Sequence, residues 1–558
     1  NLVSMSSTKS SGVFSNLKGD IFGGITAGIV AIPLALAFGK QSGMGAVAGL
    51  YGAIALSIIT SIFASTKVQV SGPTAPMTVV SAGAIAEAIR LTGDLNSALP
   101  YIVTIFILAG IIQFLLGVFG FARYVKYMPY PVVSGFMSGI GLLIIITQIF
   151  PLFGSKAPPG SAIGTLSNLH LLIINPYALL ISFSTIALIY IFPKITKIVP
   201  SSLIALIVVG GISYYFIPQN LYTVIESDGS VPTGLPHVYL DFFSAFYDFP
   251  TLSRLFKYSV IIAFLGSIDS LLTSVMVDKL LKERHNGKRE LMGQGFANFC
   301  SALIGGLPGA SATMRTMINI KAGGREKLSG LTSGILLLAV LLGLGPLIGK
   351  IPNALLAGIL FTVGISILDF HGLRQANKVP RSDAIVMFLV IFLTVFVDLI
   401  VAVGAGVLVA SLLFMKSISD ATEEQSEVVA FENFPGGEDE VKFMQAHSND
   451  VYVKNFGGPL FFGSAIAFRD MIQNLPDEVK AIIMHMEKVN YMDQSGLHAL
   501  EEALNDLRSQ KIFVVLTGLH DQPYDLLKRT KVIPKLLPED HCFETFNECA
   551  EWLEESLR

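Results

Sequence analysis

From about Ile21 to Met415 the chain is a succession of apolar runs separated by short polar breaks. Tyr101 to Phe121, Val132 to Phe150, Tyr177 to Phe192, Val260 to Val277 and Ala384 to Val397 are examples. A helix of about 20 apolar residues crosses a roughly 30 Å hydrocarbon core, and the runs predict roughly fourteen such segments, several of them short or interrupted. After Lys416 the pattern changes. "ISDATEEQSEVVAFENFPGGEDE" is polar and acidic with a Pro-Gly-Gly break, the composition of a linker. Beyond it, apolar and β-branched runs (Val451 to Val453, Ala481 to Met486, Ile512 to Thr517) alternate with amphipathic helical patterns (Ala465 to Asn474, Gly496 to Ser509, Gln522 to Thr530, Phe546 to Ser556). That alternation predicts a small α/β domain. The expected organisation is a tail over 1–16, a membrane domain over 17–416, a linker over 417–440 and the α/β domain over 441–558. In "YMDQSGLHALEEAL" either Asp493 or Ser495 can cap the helix opening at Gly496.

Composition agrees with the pattern. Of 558 residues 52% are hydrophobic and 14% charged, with a mean hydropathy of +0.63, which excludes a soluble enzyme. The formal net charge of −3 points to no nucleic-acid partner. Cys300, Cys542 and Cys549 suggest neither a disulfide framework nor a zinc site, and no cleavable signal peptide is evident. If the N-terminus is inside, the loops after even-numbered segments carry most of the cations: Arg123 and Lys126, Lys194 and Lys197, Lys279 to Arg289, Lys321 to Lys327, and Arg374 to Arg381. The opposite loops carry few, so both termini are expected to be cytoplasmic.

No Gly-rich loop ends in Gly-Lys-Ser/Thr, which leaves a secondary transporter or a channel rather than an ATP-driven pump. Transporters built from inverted repeats place their site where two broken segments meet at matching places in the two halves. "SGPTAPMTVV" (Ser71 to Val80) and "GGLPGASATMRTMINI" (Gly305 to Ile320) are such a pair. Each opens on glycine and proline and runs into a helix too short to span, about 16 Å for Ala310 to Ile320. Thr74 follows Pro33, in the middle of an earlier span, at nearly the distance at which Thr313 follows Asp269, in the middle of a later one. Facing half-helix starts, with the hydroxyls of Thr74, Ser311 and Thr313, make a site for an anion. Asp269 is costly to bury at mid-span, and Thr273 stands on the same helix face. The pair suits sodium, or Asp269 alone could carry a proton; the plainer reading is an aspartate hydrogen-bonded by Ser267, Ser270 or Thr273 for packing. Asp398 and Glu87 lie near segment boundaries and are read as structural.

"GPTAPMTVV", "PYPVVSGFMSGIG", "HNGKRELMGQGFANFCSALIGGLPGA" and a C-terminal domain with "DQSG" resemble the SulP anion permeases, or solute carrier 26 family, over essentially the whole chain after Asn16. Within the family, "SIDSLLTSVMVD" and "GASATM" are most similar to the cyanobacterial bicarbonate transporters. The resemblance implies a helical membrane fold of fourteen transmembrane segments in two inverted seven-segment repeats, a core and a gate domain, and a cytoplasmic STAS domain. It also implies a homodimer in the inner membrane and sodium-coupled bicarbonate uptake. Carried over by position, Asp269, Thr273, Ser311 and Thr313 would hold Na+, while Thr74, Ala312, Thr313 and Ala31 would line the bicarbonate site. Ser311 and Arg315 depart from that pattern, glycine being expected at both positions. Arg315 is the residue of many sulfate and chloride members, and it could meet the anion, meet Asp269, turn to the vestibule or pair structurally with a neighbouring helix. Ser495 occupies the position phosphorylated in anti-sigma-factor antagonists of the STAS type, or is simply a cap.

Overall fold

The computed structural model describes residues 16–155, 162–195, 200–216, 223, 236–397, 399–424, 428–430, 451–463 and 479–556. The longer helices are numbered here and the short turns are not. The first half of the membrane domain holds α1 (Leu17–Ser42), α2 (Ala46–Phe63), the two-residue strand β1 (Ser71–Gly72), α3 (Ala75–Thr92), α4 (Leu95–Val118), α5 (Tyr130–Thr147), α6 (Pro176–Ile191) and α7 (Ser201–Phe216). The second half repeats that order: α8 (Phe249–Leu281), α9 (Gly287–Leu303), β2 (Ala310–Ser311), α10 (Thr313–Lys321), α11 (Lys327–Ile348), α12 (Asn353–Ile367), α13 (Arg381–Phe396) and α14 (Leu399–Glu424). Among the described residues eight helices are long and apolar enough to cross a membrane, and two shorter apolar ones accompany them.

Packing shows that the order is a true repeat. If each helix is exchanged for its counterpart seven places on, one contact turns into another. α1 on α11 becomes α8 on α4, α2 on α11 becomes α9 on α4, α1 on α10 becomes α8 on α3, and α5 on α13 becomes α12 on α6. The helices also sort into two groups. α1–α4 pack with α8–α11, whereas α5–α7 pack with α12 and α13, and Gly406 seats α14 against Val132 and Val390 of that second group. Contact between the groups runs chiefly through α1 with α7 and α12, and through α3 with α5.

Two boundaries differ from the sequence reading. The second half-helix starts at Thr313 rather than Ala310, because Ala310 and Ser311 are drawn into a strand by pairing with the first repeat. The linker predicted over 417–440 begins later and contains structure: α14 continues to Glu424, and Val428–Ala430 form a strand, β3, antiparallel to β4 (Val451–Asn455). A run of apolar residues inside an acidic stretch is enough to claim a sheet edge.

In the C-terminal domain β4, β5 (Ala481–His485), β6 (Phe513–Thr517) and β7 (Cys542–Phe543) run parallel in that order; α15 (Gln494–Ser509) connects β5 to β6, α16 (Asp521–Arg529) lies between β6 and β7, and α17 (Phe546–Ser556) follows β7. Parallel strands need such crossovers and bury both faces. One face packs under Leu497, Leu500, Leu504 and Leu507 of α15, the other under Phe546, Cys549 and Leu553 of α17. The predicted helix at Ala465 to Asn474 lies outside the described residues.

Candidate functional site

The glycine and proline positions that break the two membrane segments meet at one crossing. β1 and β2 pair antiparallel, Ser71 opposite Ser311 and Gly72 opposite Ala310, and the Ala312 N–H extends the ladder by donating to the Val70 carbonyl at 3.1 Å. The approach is close: a Cβ on Gly309 would collide with the Gly72 carbonyl. Because the strands are antiparallel, α3 and α10 leave the crossing in opposite directions, each with its positive end at the centre. Thr74 and Ala312 occupy the cap positions in extended conformation, and neither side chain bonds the first turn. The first-turn amides at both ends are thus left for a ligand, the arrangement that binds anions.

Polar side chains from neighbouring helices fix the crossing. Gln294 of α9 is fully buried, and its Nε2 donates to Ser71 Oγ at 2.7 Å and to Ser311 Oγ at 2.9 Å, so one amide spans the register pair. One turn on, Asn298 donates to the Gly309 carbonyl and accepts from the Gly309 N–H, and also donates to Gln113 of α4. Ser57 Oγ donates to the Ser71 carbonyl at 2.8 Å, and Ser270 Oγ accepts from the Ser311 N–H at 3.3 Å. Glu290, also buried on α9, accepts from the Ser65 and Thr66 amides on the path from α2 to β1. The sequence reading missed Gln294, Asn298 and Glu290. Their signal was present: three polar residues four apart on one face of a helix, each costly to bury unless partnered.

The proposed ligands fall around this crossing. Thr273 Oγ1 lies 2.7 Å from Thr313 Oγ1 and donates to the Ser311 carbonyl at 3.1 Å, so three of the four expected cation ligands are in mutual contact. Asp269, one turn back on α8, is only partly buried. Of the hydroxyls offered as its packing partners, Ser267 donates to the Ala263 carbonyl and Thr273 is engaged as above, while Ser270 Oγ accepts from the Ser311 N–H. Its carboxylate lies beside the Thr74 hydroxyl without forming a good hydrogen bond, and Thr74 Oγ1 is buried with no partner. The Ser311 hydroxyl is taken by Gln294, which leaves its carbonyl as the ligating atom.

Arg315 does not meet Asp269. It is 1% exposed, and its guanidinium passes across the crossing to donate from Nη2 to the Pro73 carbonyl at 2.8 Å, with Nη1 against Gly72. Nε and Nη1 are buried with no partner. A charge carried by the second half-helix therefore sits at the start of the first. Ala31 is fully buried in α1, which packs on both half-helices. Glu87 pairs with Arg90 at 2.6 Å near the end of α3, as a structural residue should, and Asp398 lies outside the described residues. In the C-terminal domain Asp493 is the cap, accepting from the Gly496 N–H at 2.8 Å, and Ser495 is an exposed residue of the first turn.

Two inverted repeats, two helix groups and a pair of half-helices opening on a shared centre are the arrangement in which membrane transporters build a solute site. Comparison with known proteins agrees. Residues 17–390 match the sulfate permease family and residues 443–549 the STAS domain. The chain belongs to the sulfate permease family and is an anion transporter of the multi-pass membrane type. It is 37% identical over 534 residues, 95% of this chain and 93% of the relative, to the bicarbonate transporter BicA of Picosynechococcus sp.. The solved transmembrane domain of a cyanobacterial BicA is 42% identical, covers 70% of this chain and 98% of its own, and superposes with a TM-score of 0.64. Murine solute carrier 26 family member A9 is 18% identical, with a TM-score of 0.84 over 99% of this chain and 92% of its own, which speaks to the fold.

Proposed function

We propose that the protein takes up bicarbonate together with sodium, by movement of the α1–α4 and α8–α11 group past the α5–α7 and α12–α14 group in an elevator-like cycle. The observation that carries this reading is the cluster of Thr273, Ser311 and Thr313 oxygens one turn along α8 from the Asp269 carboxylate, which lies by Thr74. A carboxylate, two hydroxyls and a carbonyl are the hard donors a small cation prefers. They fit Na+ in chemistry, and the Ser311 carbonyl keeps a free lone pair. Bound there, Na+ would supply positive charge next to the α10 start, and the anion would rest on the open amides of Thr74, Ala75 and Thr313. The two solutes then favour each other's binding, which is the thermodynamic content of coupling. The name and high coverage of the BicA relatives support bicarbonate as the anion.

The same reading places the chain in the inner membrane with cytoplasmic termini, as a homodimer whose STAS domain is a dimerisation or regulatory module, with Ser495 exposed for modification. A second reading keeps the fold and carries sulfate, chloride or a dicarboxylate, by proton coupling or exchange. Arg315 favours it, since a fixed guanidinium at the crossing supplies part of the charge that sodium would bring. An anion channel would share the site but would show conductance rather than saturable counterflow. The test is uptake of labelled bicarbonate into proteoliposomes with sodium or potassium outside, in competition with sulfate and chloride. Sodium-stimulated, sulfate-insensitive uptake supports the first reading, and sodium-indifferent, sulfate-competed uptake the second.

A further inference from the structure

Away from the crossing, the end of α4 opens onto a cavity of about 400 Å3 lined by Phe119, Gly120, Arg123, Asn286 and Lys288, among others. Its geometry is built by two glycines. Gly120 adopts φ +72°, a conformation that favours glycine, and the Lys288 stem lies against it. Gly287 lets α9 start directly on Ala122. At the α9 start the Asn286 side chain accepts from the Arg289 N–H at 3.2 Å, and the cations of the cavity are the Arg123 and Lys288 side chains. Arg123 and Lys288 are both exposed. Among the described residues neither has a carboxylate within 4.0 Å, the nearby acids being taken up by Lys67 with Glu283 and Glu326, and by His285 with Asp278.

An apolar column leads into these cations. Ile111, Leu115, Val118 and Phe119 of α4 and its end are 40%, 43%, 45% and 74% exposed, spaced to share one exposed apolar helix face. We infer that this cavity binds the phosphate headgroup of an anionic phospholipid, held between Arg123 and Lys288 with an acyl chain along the α4 column. A free phosphate would use the same cations but not the column, and basic pockets at helix ends in the membrane interface are where such headgroups settle. The position gives the lipid a purpose. The turn Phe121–Tyr127 joins α4 of one helix group to α5 of the other and packs on α9 and α8. A phosphate bridging Arg123 on that turn and Lys288 on α9 pins the connector at one end.

The test uses the full chain in vesicles of phosphatidylcholine alone or mixed with phosphatidylglycerol, with lipid retention read by native mass spectrometry and stability by thermal unfolding. Wild type is expected to retain phosphatidylglycerol and to melt higher in the mixed vesicles. The double variant Arg123→Gln/Lys288→Gln is expected to lose affinity on the order of tenfold, while Arg374→Gln, an exposed cation elsewhere, retains it. Unchanged retention in the double variant overturns the assignment. So does inorganic phosphate alone reproducing the stabilisation in phosphatidylcholine, which would mark a free-anion site. Should the double variant misfold, Lys288→Gln alone decides by the same two measurements.

Discussion

Charge at the crossing is held by single residues, and each can be removed separately. Arg315→Gln takes away a guanidinium that, among the described residues, bonds the Pro73 carbonyl and has two unpartnered nitrogens. If it serves the anion, KM for uptake should rise by about tenfold, the worth of roughly one charge-assisted hydrogen bond. Dependence on sodium should rise with it, since the cation would then carry the whole charge. Gln294 is a positioning residue. Replacing it by leucine removes bonds to both register-paired serines, at roughly 1 kcal/mol each, and leaves two buried hydroxyls unsatisfied. The full chain should melt lower and its maximal uptake rate should fall; an unchanged melting temperature would mean the bridge is not made. Asp269 and the hydroxyls around it were legible in the sequence, because a mid-span carboxylate with a threonine one turn on is a conspicuous expense. Gln294 was not singled out, since an amide between apolar residues signals a partner without saying which. The Arg315 alternatives were also beyond the sequence, because its partner is a carbonyl far away in the chain.

At the level of elements, Gly-Pro punctuation gave the half-helices away, and the match between halves gave their inverted pairing. What the sequence did not carry was the two-residue strand between them, as a pairing so short has no periodicity of its own. Its closeness is testable. Gly309→Ala should push the strands apart and abolish uptake, whereas Gly211→Ala, where an added Cβ meets nothing within 4 Å, should leave uptake intact. In the C-terminal domain β4, β5, β6 and three helices follow the sequence within a residue or two, while β7 was not foreseen. The linker did not, because three apolar residues in an acidic run were outweighed by their surroundings until β4 offered them an edge. Asp493→Ala should cost about 1 kcal/mol and speed hydrogen exchange in the first turn of α15 in the full chain. Burial pushes the Cys549 thiol on α17 up to about 12, so below that pH it stays a neutral thiol. Maleimide should therefore label it slowly at pH 8 until α17 unfolds.

Across the whole molecule, the packing exchange between repeats places both half-helix starts inside one helix group and the opposing wall in the other. A site carried by one body and faced by another is what alternating access by rigid movement requires. In the proposed elevator cycle the connectors between the groups would be the parts that bend, and the turn Phe121–Tyr127 is one of those connectors. Composition alone separated this chain from soluble enzymes, but the anion and the driving ion depend on a few oxygens and one guanidinium. The most direct measurement compares bicarbonate uptake by wild type and Asp269→Asn in proteoliposomes under an inward sodium gradient. The account predicts that sodium accelerates uptake by wild type and no longer does so in the variant, with the variant folded and still able to exchange bicarbonate. Equal sodium stimulation in both proteins would contradict it.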